Sequence, residues 1–310
     1  MNLIKRADKK KRRIAAIGMY DGVHPGHRFL IDYLTVEARS RGLVPAVVTF
    51  TEHPLSIVRP EAAPGLLTSL DERLALLGQA GIEDCILLKF DDSIRRKSAR
   101  QFLSMLNERY GIKALVVGFN NRFGHDRVDG IEQYRQIGGE IGMDIIQAPE
   151  YKGKCAPVSS SIIRGYISSG DIENANRALD RNYSFNGIVV EGNRLGRSIG
   201  FPTANLRLTD NRRLLPKDGV YAVYATTPDG KRRPAMLNIG FRPTVSERKF
   251  GVKERSIEVH IIGFKGYLYD EELKIEIVRF MRDERRFGSL DELKSQLKAD
   301  LKNISKTLNA

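Results

Sequence analysis

Between residues 13 and 149 the chain alternates short apolar runs with amphipathic stretches, and no other feature restricts its fold as much. "RIAAIGMY" (13–20), "LVPAVVTF" (43–50), "DCILLKF" (84–90), "KALVVGF" (113–119) and "MDIIQAP" (143–149) have strand length and are apolar almost throughout, as strands covered on both faces are. The stretches between them carry helical spacing. In "HRFLIDYLTVEARSRG" (27–42), Phe29, Leu30, Tyr33, Leu34 and Ala38 share one face, and Gly42 can end the helix. "SLDERLALLGQAG" (69–81) opens with Ser69 and Glu72 in capping-box register. "SARQFLSMLNERY" (98–110) and "GIEQYRQIGGEIG" (130–142) continue the alternation. Strand and helix in turn predict an α/β fold with a doubly wound parallel sheet, whose ligands sit at the carboxyl ends of the strands.

Beyond residue 180 the texture changes. "YSFNGIVVEGN", "DGVYAVYATTPDGKRRPAMLNIGF", "RSIEVHIIGF" and "LKIEIVRFM" read as strands separated by Asn-Gly, Glu-Gly-Asn and Asp-Gly turn signals, with a hairpin tip at 227–233. "SLDELKSQLKADLKNISKTL" (289–308) reads as a helix with Leu290, Leu293, Leu297 and Leu301 on one side, capped by Ser289 and Glu292. The expectation is an antiparallel β-barrel with a terminal helix. Two domains follow, residues 1–181 and 182–310, with the boundary just before Tyr183.

Charge narrows the partners. Lys and Arg number 51 against 38 Asp and Glu, a net charge of +13; a surface that basic favours polyanions such as nucleic acid, acidic membrane or nucleotide phosphates, with a merely solubilising surface as the equal alternative. The two cysteines, Cys85 and Cys155, are too few for a disulfide framework or a metal cluster and fit a reducing cytoplasm. The apolar piece behind the charged start is too short for a signal-peptide core, and no later run approaches a membrane span.

"IGMYDGVHPGH" (17–27) is where a strand turns into a helix. Backbone N–H groups at such a helix start favour an anion, and Gly22 and Gly26 allow a phosphate close to the backbone. His24 and His27 add side-chain donors at the same place. Zinc would need three or four ligands, and neither cysteine nor an acidic cluster lies near. On the residues alone, a packed pair of core histidines stays the alternative.

"GMYDGVHPGH" resembles the G-x-F-D-x-x-H-x-G-H motif of the nucleotidyltransferases. "SSSIIRG" (159–165) resembles their second motif, I-S-S-T-x-I-R, and "VVGFNNRFGHDR" (116–127) and "VVTFTEHP" (47–54) resemble segments of bacterial FAD synthetases. "GRSIGFPTANL" (196–206) resembles the G-F-P-T-A-N motif of riboflavin kinase, and "LNIGFRPT", "IEVHIIGF" and the C-terminal helix follow in order. Over residues 14 to 301 the chain is similar to the bacterial bifunctional riboflavin kinase and FMN adenylyltransferase family. It departs at Tyr20 for Phe, Asn120 for Asp, Asn121 for an aromatic, Ser161 for Thr, Gly263 for Asp and Asp270 for Gly.

The resemblance implies riboflavin, FMN and ATP as small-molecule partners, FAD as product, and Mg²⁺ with the ATP. It assigns His24 and His27 to the triphosphate, Gly18, Asp21 and Gly26 to the turn around it, and Ser159, Ser160, Ser161 and Arg164 to the leaving pyrophosphate. Asn120, His53 and Arg282 are expected at the flavin. In the second half it implies Glu258 as the base for the riboflavin hydroxyl, Thr203 and Asn205 as oxygen ligands of Mg²⁺, and Gly196 and Gly200 in the loop over ATP. Without the resemblance, Glu258 is one acidic residue on a strand and Asn120 a loop amide. The rivals are a nucleic-acid binder or tRNA-directed adenylyltransferase, favoured by "KKKRR" (9–13) but lacking RRM, KH, zinc-finger and K-M-S-K-S patterns, and a chain with one half degenerate. Nucleic acid and membrane are accordingly disfavoured as partners.

Overall fold

The computed structural model describes residues 1–118, 123–126, 130–153, 158–192, 196, 199–241 and 255–309. Asn120, Asn121, Cys155 and part of the "NRLGRS" loop lie outside the described residues. The chain divides into two compact units, Met1–Ser160 and Ser161–Ala310.

In the first unit the elements run β1 (Asn2–Ile4), β2 (Arg13–Ile17), α1 (Pro25–Arg41), β3 (Val44–Phe50), α2 (Pro54–Val58), α3 (Leu70–Gln79), β4 (Asp84–Leu88), α4 (Asp92–Arg95), α5 (Ala99–Tyr110), β5 (Ile112–Val117), α6 (Ile131–Ile141) and β6 (Asp144–Gln147). The six strands are all parallel, in the order β1-β4-β3-β2-β5-β6. β2 explains why such strands read as unbroken apolar runs. Ala15 and Ile17 face one core with Phe102, Leu103 and Leu106 of α5, while Ile14 and Ala16 face the other with Ile31 and Leu34 of α1 and Leu77 of α3. The strand order reverses at β2: β3 and β4 lie to one side, β5 and β6 to the other. A crevice opens at such a reversal, and the loop after β2 is the glycine-histidine turn.

The helix starts follow their caps. Ser69 and Glu72 exchange both capping-box bonds at α3, and Ser98 does the same with Gln101 at α5, a pair that the sequence analysis did not single out. α1 begins at Pro25 rather than His27, because proline at the first helical position costs no hydrogen bond. His24 becomes the N-cap residue and His27 enters the first turn. β1 was not expected in the charged N-terminal segment. It pairs with β4, and Asn2 donates to Asp84 at 2.9 Å. Buried Arg13 fixes the segment between them: its guanidinium donates to Asp84 and Asp8, each at 2.7 Å, and to the Tyr110 carbonyl at 2.8 Å. The bond from Arg13 holds the Asp8 carboxyl below its usual range.

The second unit takes all of α7 (Ser160–Ser169) beyond its first residue, then α8 (Ile172–Leu179), β7 (Tyr183–Val190), β8 (Ala204–Leu208), β9 (Gly219–Thr226), β10 (Arg232–Phe241), β11 (Arg255–Ile261), β12 (Glu272–Arg282) and α9 (Leu290–Leu308). The strands close an antiparallel barrel in the order β10-β11-β8-β7-β12-β9. Along β7 burial alternates residue by residue, as one packed face requires. The β9–β10 hairpin turns where "TPDGKRR" placed it, with Asp229 accepting from Thr227 at 2.6 Å. α8 lies on β7 and β12 through Ile172, Ala175 and Leu179, and the Asn176 amide donates to the Ile277 carbonyl at 2.9 Å. The buried side of α9 continues the leucine line read from the sequence: Leu297 packs against the core, Leu293 and Leu301 are half-buried, and only Leu290 at its start is exposed, at 57%. Ile304 and Leu308 join Val220, Ala222 and Met236 in a core cluster. Asp300 is also buried on that side, because it pairs with Arg282.

Candidate active sites

The turn after β2 is held from several directions. Tyr20, Gly22 and Val23 all have positive φ, at 52°, 85° and 37°, so the backbone coils tightly between strand and helix. Buried Asp21 supplies the anchor. Its carboxylate accepts from the backbone N–H groups of Leu67 and Thr68 and from the Thr68 hydroxyl, all at 3.0 Å. The Gly22 N–H donates to the same Thr68 hydroxyl at 3.0 Å. Asp21 therefore shapes the turn. Its backbone carbonyl accepts from the Ser160 hydroxyl at 2.9 Å, which brings the start of the serine motif onto the histidine motif although 139 residues separate them.

His24 and His27 stack with ring centroids 3.8 Å apart and planes 19° from parallel, and Tyr20 meets His27 edge-on at 5.4 Å. The His24 ring folds over the Gly26 α-carbon: a methyl group there would stand 3.2 Å from Cε1, so a larger residue pushes the ring aside. Gly18 has the Tyr20 ring at the same distance from its would-be β-carbon. Burial, and then the neighbouring His24, push the His27 imidazole well below the ordinary histidine range. At neutral pH it therefore offers a neutral N–H donor.

Beside this turn a cavity of about 640 Å³ opens at the carboxyl ends of β2 to β5. Gly18 and Met19 form one wall, Phe50, Phe90, Phe102 and Phe123 the apolar interior, and Arg95, Arg96 and Lys97 a cationic edge. Its size and lining suit a planar aromatic ligand bearing polar groups. His53 caps α2 by accepting the Leu55 N–H at 3.2 Å, and Pro54 next to it lines the cavity.

On the barrel, Asn238 of β10, Glu258 of β11 and Asn205 of β8 stand in register across three strands, and so share one face. The Thr203 hydroxyl donates to Glu258 at 3.3 Å. Gly192 and Gly196 each sit too close to neighbouring atoms for a side chain. A β-carbon on Gly192 would collide with the Asn205 amide, and one on Gly196 with the Phe201 carbonyl, while the Phe201 N–H donates back to the Gly196 carbonyl at 2.8 Å. Gly200 takes φ of 86° in the same loop. His260, two residues from Glu258, bonds the Pro202 carbonyl at 2.8 Å through Nδ1 and fixes the loop's far end.

Other expected residues have different settings. Ser159 precedes α7, Ser161 lies in its first turn, and Arg164 follows Ser160 by four residues on the same helix face. Arg282, expected at the flavin, has its guanidinium engaged by Asp300, with Nη2 at 2.7 Å and Nε at 3.0 Å, tying β12 to α9. Cys85 is a free, buried thiol in β4, pushed up to about 12 by burial. Among the described residues no group of three or more His, Cys, Asp or Glu side chains is placed to hold a metal ion. Sequence analysis missed the Thr68 brace and the aromatic cavity. Thr68 carries no motif of its own, and the four phenylalanines come from a strand end, two separate loops and one helix.

A glycine- and histidine-bearing turn over a doubly wound sheet, followed by a barrel on which a carboxylate, a hydroxyl and an amide cluster, is the arrangement of a two-module enzyme of phosphoryl and nucleotidyl chemistry. A family model described as FAD synthetase matches residues 6–162, and one described as riboflavin kinase matches residues 179–308. The bifunctional riboflavin kinase/FMN adenylyltransferase of Escherichia coli K12 is 35% identical over 93% of this chain and 90% of its own. That of Bacillus subtilis is 33% identical over 94% and 92%. A crystal structure described as a macrolide-efflux protein from Streptococcus pneumoniae matches 97% of both chains at 30% identity and a TM-score of 0.84; that description belongs to the streptococcal protein. The chain belongs to the bifunctional riboflavin kinase/FMN adenylyltransferase family, and as a member it phosphorylates riboflavin to FMN and adenylylates FMN to FAD. Among the described residues no helix is long and apolar enough to cross a membrane.

Proposed function

We propose that the sheet module, up to residue 181, transfers AMP from ATP to FMN, and that the barrel module, residues 182–310, phosphorylates riboflavin with Mg²⁺-ATP. The observation that carries the assignment is the cluster of Thr203, Asn205 and Glu258: three oxygen-bearing side chains from two strands and a loop, converging on one face of the barrel.

A riboflavin 5′-hydroxyl attacks the γ-phosphorus of ATP better when a carboxylate removes its proton, and Glu258 is the carboxylate on that face. The Thr203 hydroxyl, already 3.3 Å from it, orients its oxygen. Thr203 and Asn205 offer a hydroxyl and an amide oxygen, hard donors that fit Mg²⁺, which when bound offsets phosphate charge. The loop bearing Gly196 and Gly200 is able to lie close to a nucleotide.

In the sheet module the FMN phosphate is ionised and needs no base, so positioning and charge stabilisation carry the rate. His24 and His27 donate to the triphosphate, Gly18, Asp21 and Gly26 set the turn, and Ser159, Ser160, Ser161 and Arg164 supply hydroxyl and guanidinium donors for pyrophosphate. The aromatic cavity takes the flavin ring, with His53 at its rim, while Arg282 holds the terminal helix. Buried Cys85 supports a reducing, cytoplasmic setting.

Chromatography of riboflavin, FMN and FAD after incubation with Mg²⁺-ATP tests the division of labour. Glu258→Gln should lower FMN formation about 100- to 10,000-fold, chiefly in kcat, and leave FAD formation from supplied FMN intact. His27→Ala should do the converse, lowering FAD formation roughly 100- to 1,000-fold. Normal FMN formation by Glu258→Gln would return Glu258 to an ordinary strand position.

A further inference from the structure

Arg73 is buried to 1% exposure in the second turn of α3, and its planar fork points at the ends of two strands. Nη1 donates to the Met19 carbonyl at 3.1 Å and lies 3.3 Å from the Met19 sulfur; Nη2 donates to the Phe50 carbonyl at 2.5 Å. These oxygens lie at the carboxyl ends of the adjacent parallel strands β2 and β3, next to the Gly18 N–H to Val48 carbonyl bond at 3.0 Å. The Thr49 hydroxyl meets the same Met19 carbonyl at 3.3 Å.

Both anchored residues face the cavity, and Met19 directly precedes Tyr20 and the Asp21 anchor. The segment 67–73 therefore grips the turn at two points: Leu67 and Thr68 hold the Asp21 carboxylate, and Arg73 holds the backbone just before it. Strand-end carbonyls also carry partial negative charge, at the end of the sheet where an anionic substrate must approach. A guanidinium covering them fixes their direction and offsets their field, and its two-pronged geometry reaches both carbonyls where a lysine ammonium is a single point.

We propose that Arg73 is a positioning residue for adenylyl transfer, locking the β2 and β3 ends so that the histidine turn and the flavin cavity meet in reactive register. The inference rests on the assignment of adenylyl transfer to the His24/His27 turn. Arg73 touches neither substrate; it acts through Met19 and Phe50.

The test is steady-state kinetics on the full chain carrying Arg73→Met or Arg73→Lys, with His27→Ala in parallel. Arg73→Met keeps the bulk and removes the donors. FAD formation from FMN should lose about 10- to 100-fold in kcat, as expected when reacting groups shift by a fraction of an ångström to an ångström. The KM for FMN should change less than about threefold, because the cavity keeps its lining. Riboflavin phosphorylation should be unchanged, and Arg73→Lys, able to meet one carbonyl, should fall between wild type and Arg73→Met. Unchanged kcat in Arg73→Met, a rise in KM alone, or equal loss of both activities would each overturn the proposal. Should Arg73→Met not fold, Arg73→Lys decides: an intermediate kcat supports the lock and a wild-type kcat refutes it. If His27→Ala impairs FAD formation and Arg73→Met does not, only the role of Arg73 fails. If neither impairs it, the assignment of the turn itself fails.

Discussion

Replacing Asp21 by Asn isolates one carboxylate at the centre of the sheet module's site. In the wild type it accepts from three donors, the Leu67 and Thr68 N–H groups and the Thr68 hydroxyl, within a buried pocket. Asparagine keeps the shape and one acceptor oxygen but turns an NH₂ group towards at least one donor. A hydrogen bond to a charged acceptor is worth about 1.5–3 kcal/mol, so losing one or two costs about 2–5 kcal/mol. In a unit of this size, 1 kcal/mol corresponds to roughly 2–4 °C, so the first melting transition should drop by roughly 5–15 °C. The backbone carbonyl that receives the Ser160 hydroxyl is untouched, so the change reads the carboxylate alone. Circular dichroism melting measures the stability term. FAD formation below the new transition measures the geometric term, expected to fall by about 100-fold if the turn shifts by an ångström. Riboflavin phosphorylation serves as the internal control. Wild-type melting with wild-type FAD formation would show that the Thr68 segment does not brace the turn.

Two further changes probe packing. The Tyr20 hydroxyl is buried with no hydrogen-bond partner among the described residues, and burial pushes it well above the usual phenol range. Tyr20→Phe should therefore hold stability or raise it by up to about 1–3 kcal/mol in urea unfolding, whereas a loss exceeding about 1 kcal/mol would reveal a bonded hydroxyl. A chain beginning at Ser161 should form FMN unaided. One beginning at Tyr183 loses the buried Ile172, Ala175 and Leu179 and the Asn176 bonds to Ile277 and Tyr183, and should be less stable to urea by about 3–5 kcal/mol; equal stability of the two would make α8 dispensable to the barrel.

The order of layers was legible in the residues alone. Runs such as "RIAAIGMY" fit a strand covered on both faces. Local signals of this kind survive because neighbouring residues create them: the Ser69 and Glu72 box closes within one helical turn. The histidine motif was legible for the same reason, since its strand, turn and helix start are contiguous. Where the chain had to meet itself at long range, the sequence was silent or misleading. The Asn-Gly pair, a turn signal by sequence, instead lies inside β7, where Gly187 pairs with Leu208 and Leu273 because the ladders on both sides hold the strand straight. The leucine line on α9 ran on into Ile304 and Leu308, but the burial of Asp300 among them was not legible, because Arg282, distant in the chain, supplied the counter-charge. The charged N-terminal segment contributed a strand because Arg13 found Asp84 and Asp8. Tertiary structure alone set Ser160 on the Asp21 carbonyl, Arg73 across the ends of β2 and β3, and Asn205 opposite Glu258. The Ser160 and Arg73 contacts each pair a donor with an acceptor, and which segments meet is fixed only when the sheet's reversal and the barrel's closure bring distant parts of the chain together.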